Sequence, residues 1–125
     1  VASQVVKLMA QKDIKLKNSR ILVLGITFKE NCPDVRNTRV IDIITDLKEY
    51  GAEVSVYDPL ADPELVKKEY GFELLNNLEA KKFEAVVLAV AHFQFEQIDF
   101  DSLKAENAVV YDVKGFLKNG VDGRL

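Results

Sequence analysis

The segment GITFKENCPDVRNT, residues 25–38, holds the side chains of this sequence best suited to chemistry. Lys29 offers a compact ammonium, and Arg36 a planar guanidinium just ahead of an expected helix N-terminus, whose free backbone amides also favour anions. Such groups suit phosphate or carboxylate. Phe28 either presents an aromatic face to a ligand or plugs the end of a sheet. Spacing alone also allows Lys29, Glu30, Asp34 and Arg36 to be a solvated mixture of charges. Gly25 stands alone, so this is not the Gly-x-Gly-x-x-Gly turn of dinucleotide sites, and no Gly-Lys-Ser/Thr follows to make a Walker loop. An anion held here is therefore held by side chains and not by a wrap of backbone amides.

Other reactive residue types are scattered. Cys32 precedes a proline in a polar loop with no histidine near it in sequence, and it is expected to be non-catalytic. His92 follows the apolar run AVVLAVA (85–91) and could line a crevice as an acid or base. A single histidine hydrogen-bonded at a strand end is the commoner arrangement and is the expectation here. Asp58 ends a valine-rich run, where dinucleotide folds often place an acid on ribose. Without the glycine fingerprint it is expected instead to cap the turn and helix at DPLADPE (58–64). No metal site is expected, because the cysteine and histidine are isolated and the carboxylate pairs fall on expected helix surfaces.

The frame for these side chains alternates strands and helices. RILVLGI (20–26), EVSVYD (53–58), EAVVLAVA (84–91) and NAVVYDV (107–113) are short and valine-rich. Apolar residues in unbroken succession, as in the first and third, suit strands covered on both faces of a parallel sheet. In NTRVIDIITDLKEYG (37–51), Val40, Ile44 and Leu47 recur at helical spacing with Ile41 beside them. Asn37 or Thr38 would cap this helix and Gly51 would end it. DPELVKKEYG (62–71) repeats the ending, with Pro63 in its first turn and Gly71 as its stop. The pattern predicts an α/β fold: a Rossmann-like open parallel sheet with helices on both faces. Segment 25–38 then leaves the first strand, where such sheets bind ligands, and it is longer than the roughly two to six residues such a connection usually needs.

At 125 residues the chain is one domain by size, long enough to bury roughly two-thirds of the surface it exposes when unfolded. Its residues are 48% apolar and 30% charged, the balance of an ordinary globular protein. No apolar run approaches the roughly 20 residues of a membrane helix, and no signal peptide is visible. A lone cysteine cannot close an internal disulfide, so the cytoplasm is the expected compartment. The net charge of −3 argues against general nucleic-acid binding.

The first residues stand outside the alternation. VASQVVKLMAQK (1–12) places Val1, Val5, Leu8 and Lys12 on one helical stripe with Val6 and Met9 beside it, and DIKLKNS (13–19) follows as a polar connector. The helix begins at Val1 with no methionine and no cap. Residues 1–18 are therefore expected to be the end of an inter-domain connecting helix and its linker, with residues 19–125 as the folded domain. The alternative is an amphipathic helix belonging to the domain and packed on the sheet edge.

The segments GITFKENCPDVRNTRV, YGAEVSVYDPLAD, AVVLAVAH and VVYDVKG together resemble the C-terminal domain of the UDP-glucose and GDP-mannose dehydrogenase family, the nucleotide-sugar 6-dehydrogenases. The likeness runs over nearly the whole chain, and the Thr-Phe-Lys-x-x-x-x-Asp-x-Arg arrangement is far more specific than a lone glycine motif. Asn31, Cys32 and Pro33 together are most like the branch that oxidises UDP-N-acetylhexosamines for bacterial surface polysaccharides, capsules among them.

The resemblance implies a division of labour. In that family a separate N-terminal domain binds NAD and carries the reactive cysteine, in a glycine-rich segment absent here, and the C-terminal domain grips the nucleotide sugar. C6 of the sugar passes from alcohol to carboxylate in two oxidations. By motif position Phe28 and Lys29 should contact the sugar nucleotide, and Arg36 should reach NAD across the domain cleft. Lys114 falls where many relatives have an arginine that also contacts the nucleotide sugar; the charge is kept and the bidentate fork lost. Neighbouring strand ends share one crevice, so Lys114 and Lys29 could converge on one phosphate. The leading helix resembles the end of the central helix that joins the family's two halves and contributes to a homodimer. The implied partners are a UDP-sugar (UDP-N-acetylglucosamine, UDP-N-acetylgalactosamine or UDP-glucose), NAD and the N-terminal domain, with no catalytic residue in this chain and no turnover by it alone. Two other classes share the pattern. A phosphorelay receiver needs an acidic cluster after its first strand, which Gly25, Ile26 and Thr27 do not supply, and a ligand-free interaction domain would show no nucleotide affinity.

Overall fold

The computed structural model describes all residues, Val1–Leu125. Helix α1 (Ala2–Gln11) is followed by β1 (Arg20–Leu24), α2 (Val40–Glu49), β2 (Glu53–Tyr57), α3 (Pro63–Tyr70) and β3 (Phe83–Leu88). A 3₁₀ turn (Phe93–Gln97), the short α4 (Phe100–Leu103), β4 (Lys104–Asp112) and β5 (Gly123–Arg124) complete the chain. The five strands form one sheet in the order β2-β1-β3-β4-β5, every neighbouring pair parallel. Strand order reverses between β1 and β3. This is the switch point beyond whose carboxyl ends an open α/β sheet leaves a crevice.

The unbroken apolar runs divide as the two-residue repeat of a strand requires. Ile21, Val23, Ala85 and Val87 face one core, which they share with Val5 and Met9 of α1 and with Val40, Ile44 and Leu47 of α2. Leu22, Leu24, Val86 and Leu88 face the other, closed by Phe95 of the 3₁₀ turn and Leu103 of α4. Truncating any of these fully buried leucines or isoleucines to alanine removes about 2–5 kcal/mol. Helices thus cover both faces, unequally: one carries full-length helices, the other only short turns and the segment around Leu75 and Leu78.

Helix α1 is fastened to this core at both ends. The Lys12 ammonium donates to the Ala108 carbonyl at 3.1 Å and pairs with Asp122 at 2.8 Å, while Tyr111 donates its hydroxyl to the Gln4 side chain. Helix α2 starts later than the Asn37 or Thr38 boundary: it runs from Val40 with Arg39 as the flanking residue. Thr38 still caps by chemistry, its hydroxyl accepting from the Val40 amide at 3.2 Å. Asp62 caps α3 by accepting from the Glu64 amide, and Gly71 ends it in the left-handed conformation that glycine adopts without steric cost.

Candidate functional site

The crevice begins where β1 stops. The first strand ends at Leu24, two residues before the apolar run does, because Gly25 turns the chain at φ +95°. A Cβ on Gly25 would lie 2.5 Å from Val90 Cβ, so the glycine serves close packing of the β1 and β3 exits.

Beyond that point a cavity of about 450 Å³ opens, lined by Phe28 and Lys29 after β1, Ala89 and Val90 after β3, and Val113 and Lys114 after β4. Thr38, Arg39 and Val40, at the start of α2, form another wall, and Val1 and Leu125 reach the rim. The cavity has three cationic side chains, Lys29, Arg39 and Lys114, and no aspartate or glutamate among its lining residues. None of the three takes part in an ion pair. In a chain of 20 acidic and 17 basic residues, this segregation makes the cavity receptive to an anion, aided by the positive end of the α2 dipole. Phe28 is 58% exposed, so it offers its ring outward and does not plug the sheet.

The four expected contact residues divide. Phe28, Lys29 and Lys114 come together in the cavity, and Arg36 does not line it. The Arg36 guanidinium lies outside and is occupied by its neighbour, Nε 3.1 Å from Asp34 Oδ1 and a terminal nitrogen 3.3 Å from Oδ2. This hydrogen-bonded pairing holds the Asp34 carboxyl below its usual range. Both partners are solvent-facing, so the pair adds little to stability and a competing ligand could displace it. Arg39 was not singled out from the sequence because it sits among helix-forming residues; the fold aims its position into the crevice.

Beneath the cavity lies a buried polar cluster. Asp58, at the exit of β2, accepts from the Ile26 amide at 2.8 Å and the Thr27 amide at 3.3 Å through Oδ2, and from the Leu60 and Ala61 amides through Oδ1. It caps the turn, as expected, and also ties β2 to the β1 exit; the cap of α3 itself is Asp62. His92 is wholly buried and hydrogen-bonded at the end of β3, as expected, with Nε2 2.9 Å from Asp58 Oδ2 and 3.1 Å from Thr27 Oγ1. Burial pushes the Asp58 carboxyl up, and the hydrogen bonds from His92, Ile26 and Leu60 outweigh it, leaving the group below its ordinary value. Asp112 plays a matching part at the β4 exit, accepting from the Lys114 and Leu117 amides. Cys32 is a half-buried free thiol, and no group of three or more metal-ligating side chains gathers in the structure.

A Rossmann-like α/β domain with an anion-receptive crevice at its switch point is the class this fold and site define. The sequence profile described as "UDP-glucose/GDP-mannose dehydrogenase family, UDP binding domain" matches residues 22–119, and the chain belongs to that family. It is 39% identical over 117 residues to a UDP-N-acetyl-D-glucosamine 6-dehydrogenase of Salmonella typhi, covering 91% of this chain and 28% of that protein. It is 40% identical over 121 residues to the Pseudomonas aeruginosa protein of the same description, covering 94% and 28%. A UDP-D-ManNAc dehydrogenase structure from Pyrococcus horikoshii shares the fold with a TM-score of 0.78 at 21% identity, over 98% of this chain and 29% of that one. The chain thus spans somewhat over a quarter of the length of these relatives.

Proposed function

We propose that the cavity holds the diphosphate of a UDP-sugar, and that the chain acts as the C-terminal substrate-binding domain of an NAD-dependent nucleotide-sugar 6-dehydrogenase. The observation that carries this reading is the set of three unpaired cationic side chains, Lys29, Arg39 and Lys114, in one cavity whose lining has no aspartate or glutamate. A ligand-free interaction domain would have no use for that imbalance. Phe28, exposed beside Lys29, supplies a face for the base or the sugar ring. The relatives named above favour UDP-N-acetylglucosamine, with UDP-N-acetylgalactosamine and UDP-glucose as the other candidates, and oxidation of C6 to the uronic acid for polysaccharide biosynthesis in the cytoplasm.

The residues present do not make an NAD site. Gly25 is the lone glycine of the β1 exit and is packed on Val90, so no backbone approach to a pyrophosphate is available there. No hydride-transfer step is assigned to this chain. In this reading the main NAD site and the reactive cysteine belong to an N-terminal domain, and Arg36, exposed outside the cavity, is the residue left to reach that cofactor. Residues 1–18 are the end of the helix that joins the two domains, in an enzyme that forms a homodimer.

Titrating UDP and UDP-N-acetylglucosamine into the isotopically labelled chain tests the binding claim. Amide shifts concentrated at residues 27–29, 38–40 and 113–114, weakening as salt is raised, are expected. Shifts confined to other surfaces contradict it.

A further inference from the structure

We propose that His92 is the positioning residue of the Lys29 loop: its imidazole, through Nδ1, fixes where that loop presents its cation. The inference deepens the proposed function and rests on Lys29 as a diphosphate ligand. His92 follows β3, and its ring is 0% exposed. The Asn31 amide donates to Nδ1 at 2.9 Å. Because Nδ1 accepts, the ring proton sits on Nε2, which donates to Asp58 Oδ2 at 2.9 Å. One side chain therefore joins the exits of β1, β2 and β3.

The grip on the loop has two points. Asn31 gives its amide to His92, and its Oδ1 accepts from the Phe93 amide at 2.9 Å. Consecutive residues of one strand exit thus hold one residue of another, at a place where the backbone stands at φ +58°, a conformation asparagine tolerates better than most residues. On the near side, the Thr27 hydroxyl donates to the Lys29 carbonyl at 3.0 Å. Lys29 is fastened before and after, and only its side chain is left free to meet a ligand. Pre-ordering of this kind spares a binding loop the entropy of closing.

Two substitutions separate the two nitrogens of the ring. In His92→Asn the side-chain oxygen falls near Nδ1 and can still accept from Asn31, whereas in His92→Gln the side-chain nitrogen falls near Nε2 and keeps only the Asp58 contact. Amide hydrogen exchange of Asn31 and calorimetric affinity for UDP-N-acetylglucosamine are measured for both variants and the parent chain. The expected result is Asn31 protection kept in His92→Asn and lost in His92→Gln, with affinity falling about tenfold only in the latter, the equivalent of one charge-assisted contact. Equal protection, or equal loss of it, in the two folded variants overturns the inference. If the parent chain takes up no UDP-sugar, the proposed function fails, while the Asn31 exchange comparison still decides the role of His92.

Discussion

Val90 Cβ lies 2.5 Å from where a Cβ on Gly25 would stand, so the exits of β1 and β3 meet with no room for a side chain between them. The contact sits at the root of the loop that carries Phe28 and Lys29, and Gly25 also holds φ +95° there. Gly25→Ala should therefore cost on the order of 3 kcal/mol, from the left-handed backbone together with overpacking against Val90. Urea denaturation midpoints check this; a loss below about 0.5 kcal/mol would mean that the two exits are free to separate.

Asp58 makes stability depend on pH in a definite direction. Its folded-state pKa is lowered, so its contribution is fully present above the ordinary carboxylate pKa and is lost as pH falls through the lowered folded value. The Asp58 contribution should be constant from pH 7 down to about 5 and be lost progressively below about 4. In Asp58→Asn the chain should be less stable at neutral pH and its acid slope shallower. Denaturation midpoints between pH 7 and pH 3 test both; an identical slope in the two proteins would remove Asp58 from the account.

Lys29→Ala, Arg39→Ala and Lys114→Ala should each weaken UDP binding about tenfold, the scale of one charge-assisted hydrogen bond to phosphate at a partly exposed site. Lys114→Arg keeps the charge and adds a fork, and should bind at least as tightly as the parent. Calorimetry at low and moderate salt measures all four. Affinity unchanged from the parent chain in all three alanine variants would mean that the cation wall is not the binding surface.

The purified chain should yield no NADH from any UDP-sugar, since it offers no NAD-shaped turn and Cys32 has no histidine partner: His92 is committed to Asp58, Thr27 and Asn31. Absorbance at the NADH band over hours, with substrate and NAD in excess, is the check. Turnover by the chain would reverse the division of roles.

Much of this fold is legible in the sequence. Apolar patterning placed β1, β3, β4, α1 and α2, which each bury several residues, while β2 and α3, with one buried residue each, were legible from their valines and from the Pro63 and Gly71 boundaries. Lys29 and Lys114 line one cavity, as expected, although β3 stands between the strands they follow, so the convergence does not need neighbouring exits. Four features lay beyond sequence reasoning. The strand β5 is only Gly123–Arg124, two poor strand formers held by pairing with Tyr111 and Asp112. The 3₁₀ turn and α4 are too short to show a period. Arg39 reads as one more helix residue, and the reach of Asp58 across to Ile26, 32 positions away in sequence, is a tertiary contact with no local signature. The Arg36 guanidinium, expected to reach NAD across a domain cleft, lies outside the cavity and is paired with Asp34, two residues before it.

The most direct measurement of the central claim is a crystal structure of the chain with UDP-N-acetylglucosamine. The account predicts the diphosphate oxygens within hydrogen-bonding reach of Lys29, Arg39 and Lys114, with the Phe28 ring against the nucleotide sugar. A nucleotide seated on another surface, with those three cations left in solvent, would contradict it.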